Sequence, residues 1–184
     1  MIKMYTAYLT YPPLLDTRIK NIYSSISERW KNKRDFEFLP MIPVWKVYAD
    51  DSTEPEIIKN VGAVAPNLEL PLKTNGLLTK PDSGYIFITF DTTSSQQLTG
   101  YSEAMRIAMR VKDSEDNMPY GYEPHSSLIK QEVAELDSIL AFITDKLEAV
   151  VFTPKSLIIS RATDTDNGIT FDVLFEHSFI QHTQ

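Results

Sequence analysis

The feature that most constrains the fold of this 184-residue chain is an internal repetition. Both halves read as strand, helix, strand, and their second strands share one frame of aromatic, any residue, proline, variable, any, small and aliphatic. The frame spans Phe38–Val44 in the first half and Tyr122–Leu128 in the second. It brings Met41 into register with His125, and Pro43 into register with Ser127. A repeated strand–helix–strand unit predicts an α/β protein built from two similar lobes.

Hydrophobic periodicity divides the chain into further elements without any segment that could serve as a linker. The sequence therefore predicts one domain over 1–184, with lobes of roughly 1–80 and 81–184 and a C-terminal hairpin that crosses over to the first lobe. The predicted strands are 2–11, Phe36–Tyr48, Leu68–Leu78, Gly84–Phe90 and Tyr122–Lys130; the helices are 16–31, 54–65, 95–111 and 131–149; the hairpin joins Ser156–Ala162 to Ile169–Phe179 through Asp166-Asn167-Gly168.

Composition narrows the functional classes. The net charge of −7 argues against a surface that binds duplex DNA, although a small phosphorylated ligand needs only a few donors. Without cysteine the chain has no disulfide or thiolate chemistry, which fits a cytoplasmic or nuclear protein. No signal peptide or membrane span is predicted. The three histidines are His125, His177 and His182, and they limit any acid–base chemistry.

His125 and Ser127 are the best candidates for a functional pair. They lie two residues apart on a predicted strand, so their side chains point to one face. A histidine moves protons near neutral pH, and a neighbouring hydroxyl can hold a phosphate oxygen. From spacing alone, the commoner explanation of such a pair is structural: a half-buried histidine beside a serine that is bonded to backbone groups.

The surroundings of this pair carry a resemblance to a known family. The motif Tyr-Glu-Pro-His125-Ser-Ser127-Leu-Ile, in a chain with two similar halves, resembles the two-histidine (2H) phosphoesterase superfamily, closest to its cyclic phosphodiesterase branch. The resemblance implies an α+β fold: two pseudo-symmetric lobes with antiparallel-rich sheets around a central cleft and helices outside. It also implies that position 41 faces His125 across that cleft.

The first motif departs from the family. Where the family carries its other histidine and hydroxyl residue, this chain has Met41 and Pro43. In the family the two histidines act as general base and general acid on a 2′,3′-cyclic phosphodiester, without a metal or other cofactor. Methionine cannot transfer a proton, and proline has neither a hydroxyl nor a backbone donor. The ordinary two-histidine mechanism cannot run on these residues.

Three functions are therefore compatible with the sequence. The first is a protein that binds a nucleotide, a cyclic phosphate or a short RNA with hydrolysis impaired or lost. The second is a phosphodiesterase that uses His125 alone, with Ser127 holding the phosphate. The third is a module for binding a protein partner on the same fold.

Four further residues are candidates for substrate binding. Lys130 could neutralise a phosphate, and Tyr122, Tyr8 and Trp45 could stack on a base. If Pro43 leaves the strand alternation intact, Trp45 shares a face with Met41. The spacing of His177 and His182 does not predict a metal site, and Asp164 and Asp166 are typical of a hairpin turn.

Overall fold

The first strand shows how apolar alternation builds the core. In β1 (Ile2–Thr10) the alternate residues Tyr5, Ala7 and Leu9 are fully buried on one face. The strand lies centrally, between β2 (Met41–Asp50) and β8 (Ser156–Thr165), and pairs with both in antiparallel fashion. This computed structural model describes residues 1–30, 40–116, 122–130, 133–165 and 168–179.

The strands form two separate sheets. A five-stranded sheet has the order β5-β2-β1-β8-β9, and a four-stranded sheet has the order β6-β4-β3-β7. Strands from both ends of the chain thus share the first sheet, because the C-terminal hairpin pairs with β1. The remaining bounds are β3 Leu72–Lys80, β4 Tyr85–Phe90, β5 Glu115–Asp116, β6 His125–Lys130, β7 Val151–Phe152 and β9 Gly168–Ser178.

Within the described residues, four α-helices cover one face of each sheet. They are α1 (Pro13–Trp30), α2 (Glu54–Val64), α3 (Thr92–Met109) and α4 (Leu136–Ile143). Helix α3, from the second half of the chain, packs on β2 of the first half, and α1 contacts β6. The two halves therefore share one interlocked core. We call the opposite face of each sheet the helix-free face.

Helix ends follow local chemistry. Asp91 accepts a hydrogen bond from the backbone N–H of Ser94 at 2.8 Å and so caps α3. Helix α1 begins earlier than predicted, because Pro13 suits the first turn of a helix.

Further predicted bounds differ from those in the structure. Of the predicted helix 131–149, the described part 133–149 is α-helical over Leu136–Ile143, with 3-10 turns at Val133–Glu135 and Thr144–Lys146. The third predicted strand lies later, at Leu72–Lys80. Within the predicted loop 112–120, Glu115 and Asp116 pair with β2. The predicted strand start at 36–39, the turn residues Asp166 and Asn167, and His182 lie outside the described residues.

Side-chain hydroxyls join the two sheets. Beyond its short pairing with β5, β2 has no strand on its outer side in the described residues, so its carbonyls there need other donors. Ser126 donates to the carbonyl of Met41 at 2.6 Å, and Tyr122 donates to the carbonyl of Pro43 at 2.8 Å. These bonds place β6 beside β2, so the two strands of the repeated frame are neighbours.

Candidate functional site

Strand β6 presents His125 and Ser127 on the same face, as their spacing predicts. Their register partners on β4 are Thr89 and Phe87, which are themselves two residues apart. This is the helix-free face, since the intervening Ser126 and Ile88 are buried toward the core. His125 is half-buried there and Ser127 is partly exposed.

The His125 ring is held from two sides. Its Nδ1 lies 2.6 Å from the carbonyl oxygen of Glu123, and its ring centroid lies 4.3 Å from that of Phe87. A carbonyl can only accept, so Nδ1 carries the proton. In the neutral ring Nε2 then has the free lone pair, which makes it the atom that can take or give a proton.

Burial and neighbouring charges keep His125 neutral. Burial is the main cause that lowers the pKa of His125, and Lys80 and Lys46 add to the lowering. The Glu123 carbonyl and carboxylate act in the opposite direction. A neutral imidazole at pH 7 is suited to accept a proton.

The lowered pKa predicts a pH-dependent loss of stability. The unfolded chain binds a proton at His125 as the pH falls through about 6.5, whereas the folded chain resists it until lower pH. We therefore expect the free energy of unfolding to fall below pH 6.5, and this contribution to be fully present above it. An NMR titration should place the His125 midpoint below 6.5. Urea unfolding should show a smaller drop over the same range for His125→Gln, and an equal drop would contradict the assignment.

A cavity of about 270 Å³ opens beside His125. Tyr122 is the other predicted site residue in its wall, whereas Ser127, Lys130, Tyr8, Trp45, Met41 and Pro43 do not line it. Sequence reasoning missed most of the wall, because β3 and β4 carry no motif. The lining residues are Leu78, Lys80, Phe87, Thr89, Phe90, Ser95, Tyr122, Glu123, Pro124 and His125.

Lys80 is the cation in this wall. Its ammonium forms an ion pair with Glu123 and lies 5.7 Å from the centroid of the Phe87 ring. The Glu123 side chain is 73% exposed, so the pair is formed largely in water. Such a pair costs little to open when an anion competes for the lysine.

A β-bulge brings Lys130 to the helix-free face. Plain alternation would place Lys130 opposite to His125 and Ser127. Leu128, however, has no partner on β4, because Ser127 pairs with Phe87 and Ile129 pairs with Ile86. The alternation shifts by one, and Lys130 pairs with Tyr85 with its ammonium 5.3 Å from that ring centroid.

A β-bulge also occurs in β2. Tyr8 pairs with Pro43 and Ala7 pairs with Trp45, so Val44 is the unpaired residue of a second bulge. Val44 and Leu128 stand as far apart in the chain as Met41 and His125 do. The repeated frame of the sequence is therefore also a repeated backbone irregularity.

The β2 bulge overturns the prediction for Trp45. After the bulge Trp45 pairs with Ala7 on the core face, whereas Met41 pairs with Thr10 on the helix-free face. Trp45 is only 5% exposed, and its Nε1 donates to Asp116 at 3.3 Å. Its ring is part of the core and offers no surface for stacking.

In the first copy of the repeated frame, β2 has apolar residues at the positions where β6 has His125 and Ser127. Met41 and Pro43 are partly buried on the helix-free face, beside Thr10 and Tyr8. Burial raises the pKa of the half-buried Tyr8, which keeps its hydroxyl protonated. The opposition of His125 and Met41 side chains stays a prediction, as do the binding roles of Tyr8, Tyr122 and Lys130.

In the part of the chain that the structure describes, no three histidine or acidic side chains cluster as they would around a metal ion. His177 lies on β9, and its ring centroid is 5.1 Å from that of Phe179. It belongs to the five-stranded sheet, whereas His125 belongs to the four-stranded sheet. None of the described helices has the length and apolar character of a membrane span.

Comparison with solved structures identifies the fold. Escherichia coli LigT without ligand matches with a TM-score of 0.64 at 8% identity, over 98% of this chain and 99% of LigT. LigT complexed with 3′-AMP matches with a TM-score of 0.61 at 8% identity, over 98% and 99% of the two chains. LigT complexed with ATP matches with a TM-score of 0.59 at 8% identity, over 98% and 100%.

This chain has the 2H phosphoesterase fold. The likeness predicted from the second motif is thereby confirmed for the fold. No protein-family model matches the sequence, and no curated protein matches it significantly. At 8% identity the likeness extends to the fold and does not by itself assign an activity.

Proposed function

We propose that this chain binds a nucleotide or another phosphorylated ligand beside His125, and that two-histidine hydrolysis of 2′,3′-cyclic phosphodiesters is impaired or lost. One observation carries the proposal. The neutral His125 lies at a cavity with its Nδ1 held, while the position equivalent to it on β2 is Met41. His125 and the cavity beside it are available for ligand binding, whereas the repeated frame provides no second side chain that could transfer a proton.

Two further observations support a phosphorylated ligand. Two lysines, Lys80 and Lys46, and one carboxylate, Glu123, act on His125, so the local charge is positive in a chain whose net charge is −7. LigT, which shares the fold, has been crystallised with 3′-AMP and with ATP. Tyr122 and Phe87 add apolar surface to the cavity wall, which a nucleoside could cover.

Calorimetry and turnover measured together test the proposal. We expect 3′-AMP or ATP to bind the wild-type chain, and 2′,3′-cyclic nucleotides to be hydrolysed at least about a hundredfold more slowly than by the Met41→His/Pro43→Thr variant. His125→Ala should weaken nucleotide binding. It should leave product formation at the same low level as in the wild-type chain. Absence of both binding heat and a thermal shift with every nucleotide would contradict ligand binding and favour a module for protein partners.

A second candidate is a phosphodiesterase that uses His125 alone. It is favoured by the lowered pKa of His125 and the fixed Nδ1 proton, which prepare Nε2 as a base. In that case a water molecule would have to protonate the leaving group. Rapid turnover by the wild-type chain that His125→Ala abolishes would establish this function instead.

A further inference from the structure

The helix-free faces of both sheets carry lysines at equivalent positions. Lys46 follows the β2 bulge as Lys130 follows the β6 bulge, and their spacing in the chain equals that of Met41 and His125. Lys46 pairs with Thr6, which puts it on the same face as Met41 and Pro43. The β2 bulge is needed for this, because simple alternation from Met41 would turn Lys46 toward the core.

Lys46 is well placed to act on an anion near His125. Strands β2 and β6 are neighbours, joined by the bond from Ser126 to the Met41 carbonyl. Lys46 is partly buried and makes no ion pair within the described part of the chain. Its charge reaches His125 from the five-stranded sheet, while that of Lys80 reaches it from the four-stranded sheet.

The charge around His125 therefore differs from that of a site with two titrating histidines. Lysines remain cationic at neutral pH, whereas His125 stays neutral. A cyclic phosphodiester carries one negative charge, but a phosphate monoester carries nearly two above its second pKa of about 6. Two positively charged lysines attract the second negative charge of a monoester as well as the first.

We propose that Lys46, together with Lys80, makes this site selective for the dianionic phosphate monoester over the cyclic phosphodiester. Lys46 thus supplies, from the half-site that has lost its histidine, the anion binding that Pro43 cannot. The inference rests on the proposed function and gives its ligand class: a molecule with a terminal phosphate monoester, such as a nucleoside 2′- or 3′-monophosphate. Lys80 joins by exchanging Glu123 for the phosphate, since their ion pair is solvent-exposed.

Calorimetry with two nucleotides that share a base tests this selectivity. At pH 7.5 we expect 3′-AMP to bind at least about tenfold more tightly than 2′,3′-cyclic AMP, since a charge-assisted hydrogen bond is worth about 1.5–3 kcal/mol, or roughly tenfold and upward. Lys46→Met should weaken 3′-AMP about tenfold and the cyclic nucleotide clearly less. Lys46→Arg should retain most of the preference for 3′-AMP, because arginine keeps the positive charge. This result would show that the selectivity depends on the charge of the side chain rather than on its shape.

The matched control is Lys59→Met, because Lys59 is an exposed lysine of α2 on the helix-covered side of the first sheet. It should leave both affinities unchanged. At pH 5.5 the preference of the wild-type chain should shrink, since the monoester then loses its second charge. Thermal melts of each variant verify that it is folded.

The outcomes separate the two proposals. Equal affinity of the wild-type chain for both nucleotides, or equal weakening of both by Lys46→Met, would overturn the selectivity and leave nucleotide binding standing. Absence of binding of either nucleotide would overturn the proposed function and the selectivity together.

Discussion

Replacing Met41 by histidine and Pro43 by threonine should create turnover of 2′,3′-cyclic nucleotides where the wild-type chain has little or none. Loss of one acid–base partner is worth about a hundredfold to ten-thousandfold in rate, so the gain should be of that size. The backbone for this gain is present. Met41 and Pro43 lie on the helix-free face, and β2 is already held beside β6 through their carbonyls.

The substitutions should be tolerated for a structural reason. The bonds from Ser126 and Tyr122 go to the carbonyl oxygens of Met41 and Pro43, which every residue type provides. Threonine also favours strands and returns the backbone donor that proline lacks.

Product formation from 2′,3′-cyclic AMP, followed by chromatography, measures the gain. The triple variant that adds His125→Ala should lose the gained activity, because it keeps the new histidine at position 41 but no longer has the one at position 125. A Met41→Leu/Pro43→Val variant controls for changed packing and should remain inactive. If the double variant is folded, binds 3′-AMP and still turns over no faster than the wild-type chain, then the two half-sites do not face one another as the resemblance predicts.

The second large effect concerns Trp45, for which we expect a loss of stability rather than of binding. Trp45→Ala should lower the free energy of unfolding by about 3–5 kcal/mol, because it removes a large side chain that is 5% exposed in the core. Affinity for nucleotides should stay near that of the wild-type chain at a temperature where the variant is still folded.

Urea unfolding at neutral pH checks this expectation. Tyr48→Ala is the control, since Tyr48 is an aromatic residue of the same strand that is 38% exposed, and its loss should cost less than about 1 kcal/mol. A stable Trp45→Ala protein that has lost nucleotide binding would put the indole in the binding site and contradict its place in the core.

Lys130 and Trp45 show why strand parity misleads at this site. Each lies just beyond a bulge. Residues that are an even number of positions apart therefore lie on opposite faces of the sheet when the bulge falls between them. A bulge depends on how two strands register over several residues, and a single strand does not reveal it. His125 and Ser127 lie before the β6 bulge and share one face, as their spacing predicts.

The cavity wall shows a second limit of the same kind. Lys80, Phe87 and Thr89 come from strands whose sequences look like ordinary sheet, and they meet His125 only through pairing between β3, β4 and β6. No local pattern marks them, because their function depends on neighbours far away in the chain.

By itself, the sequence predicted the α+β fold through its family resemblance, the repeated frame of the two second strands, and that His125 and Ser127 share one face. These follow from hydrophobic periodicity and from a motif, both of which are local properties of the chain. Only the tertiary structure decided that Trp45 is core, that Lys46 and Lys130 reach the helix-free face, and that Lys80 and Phe87 flank the histidine. Those placements depend on strand register and on contacts between the sheets, which arise when distant segments pack.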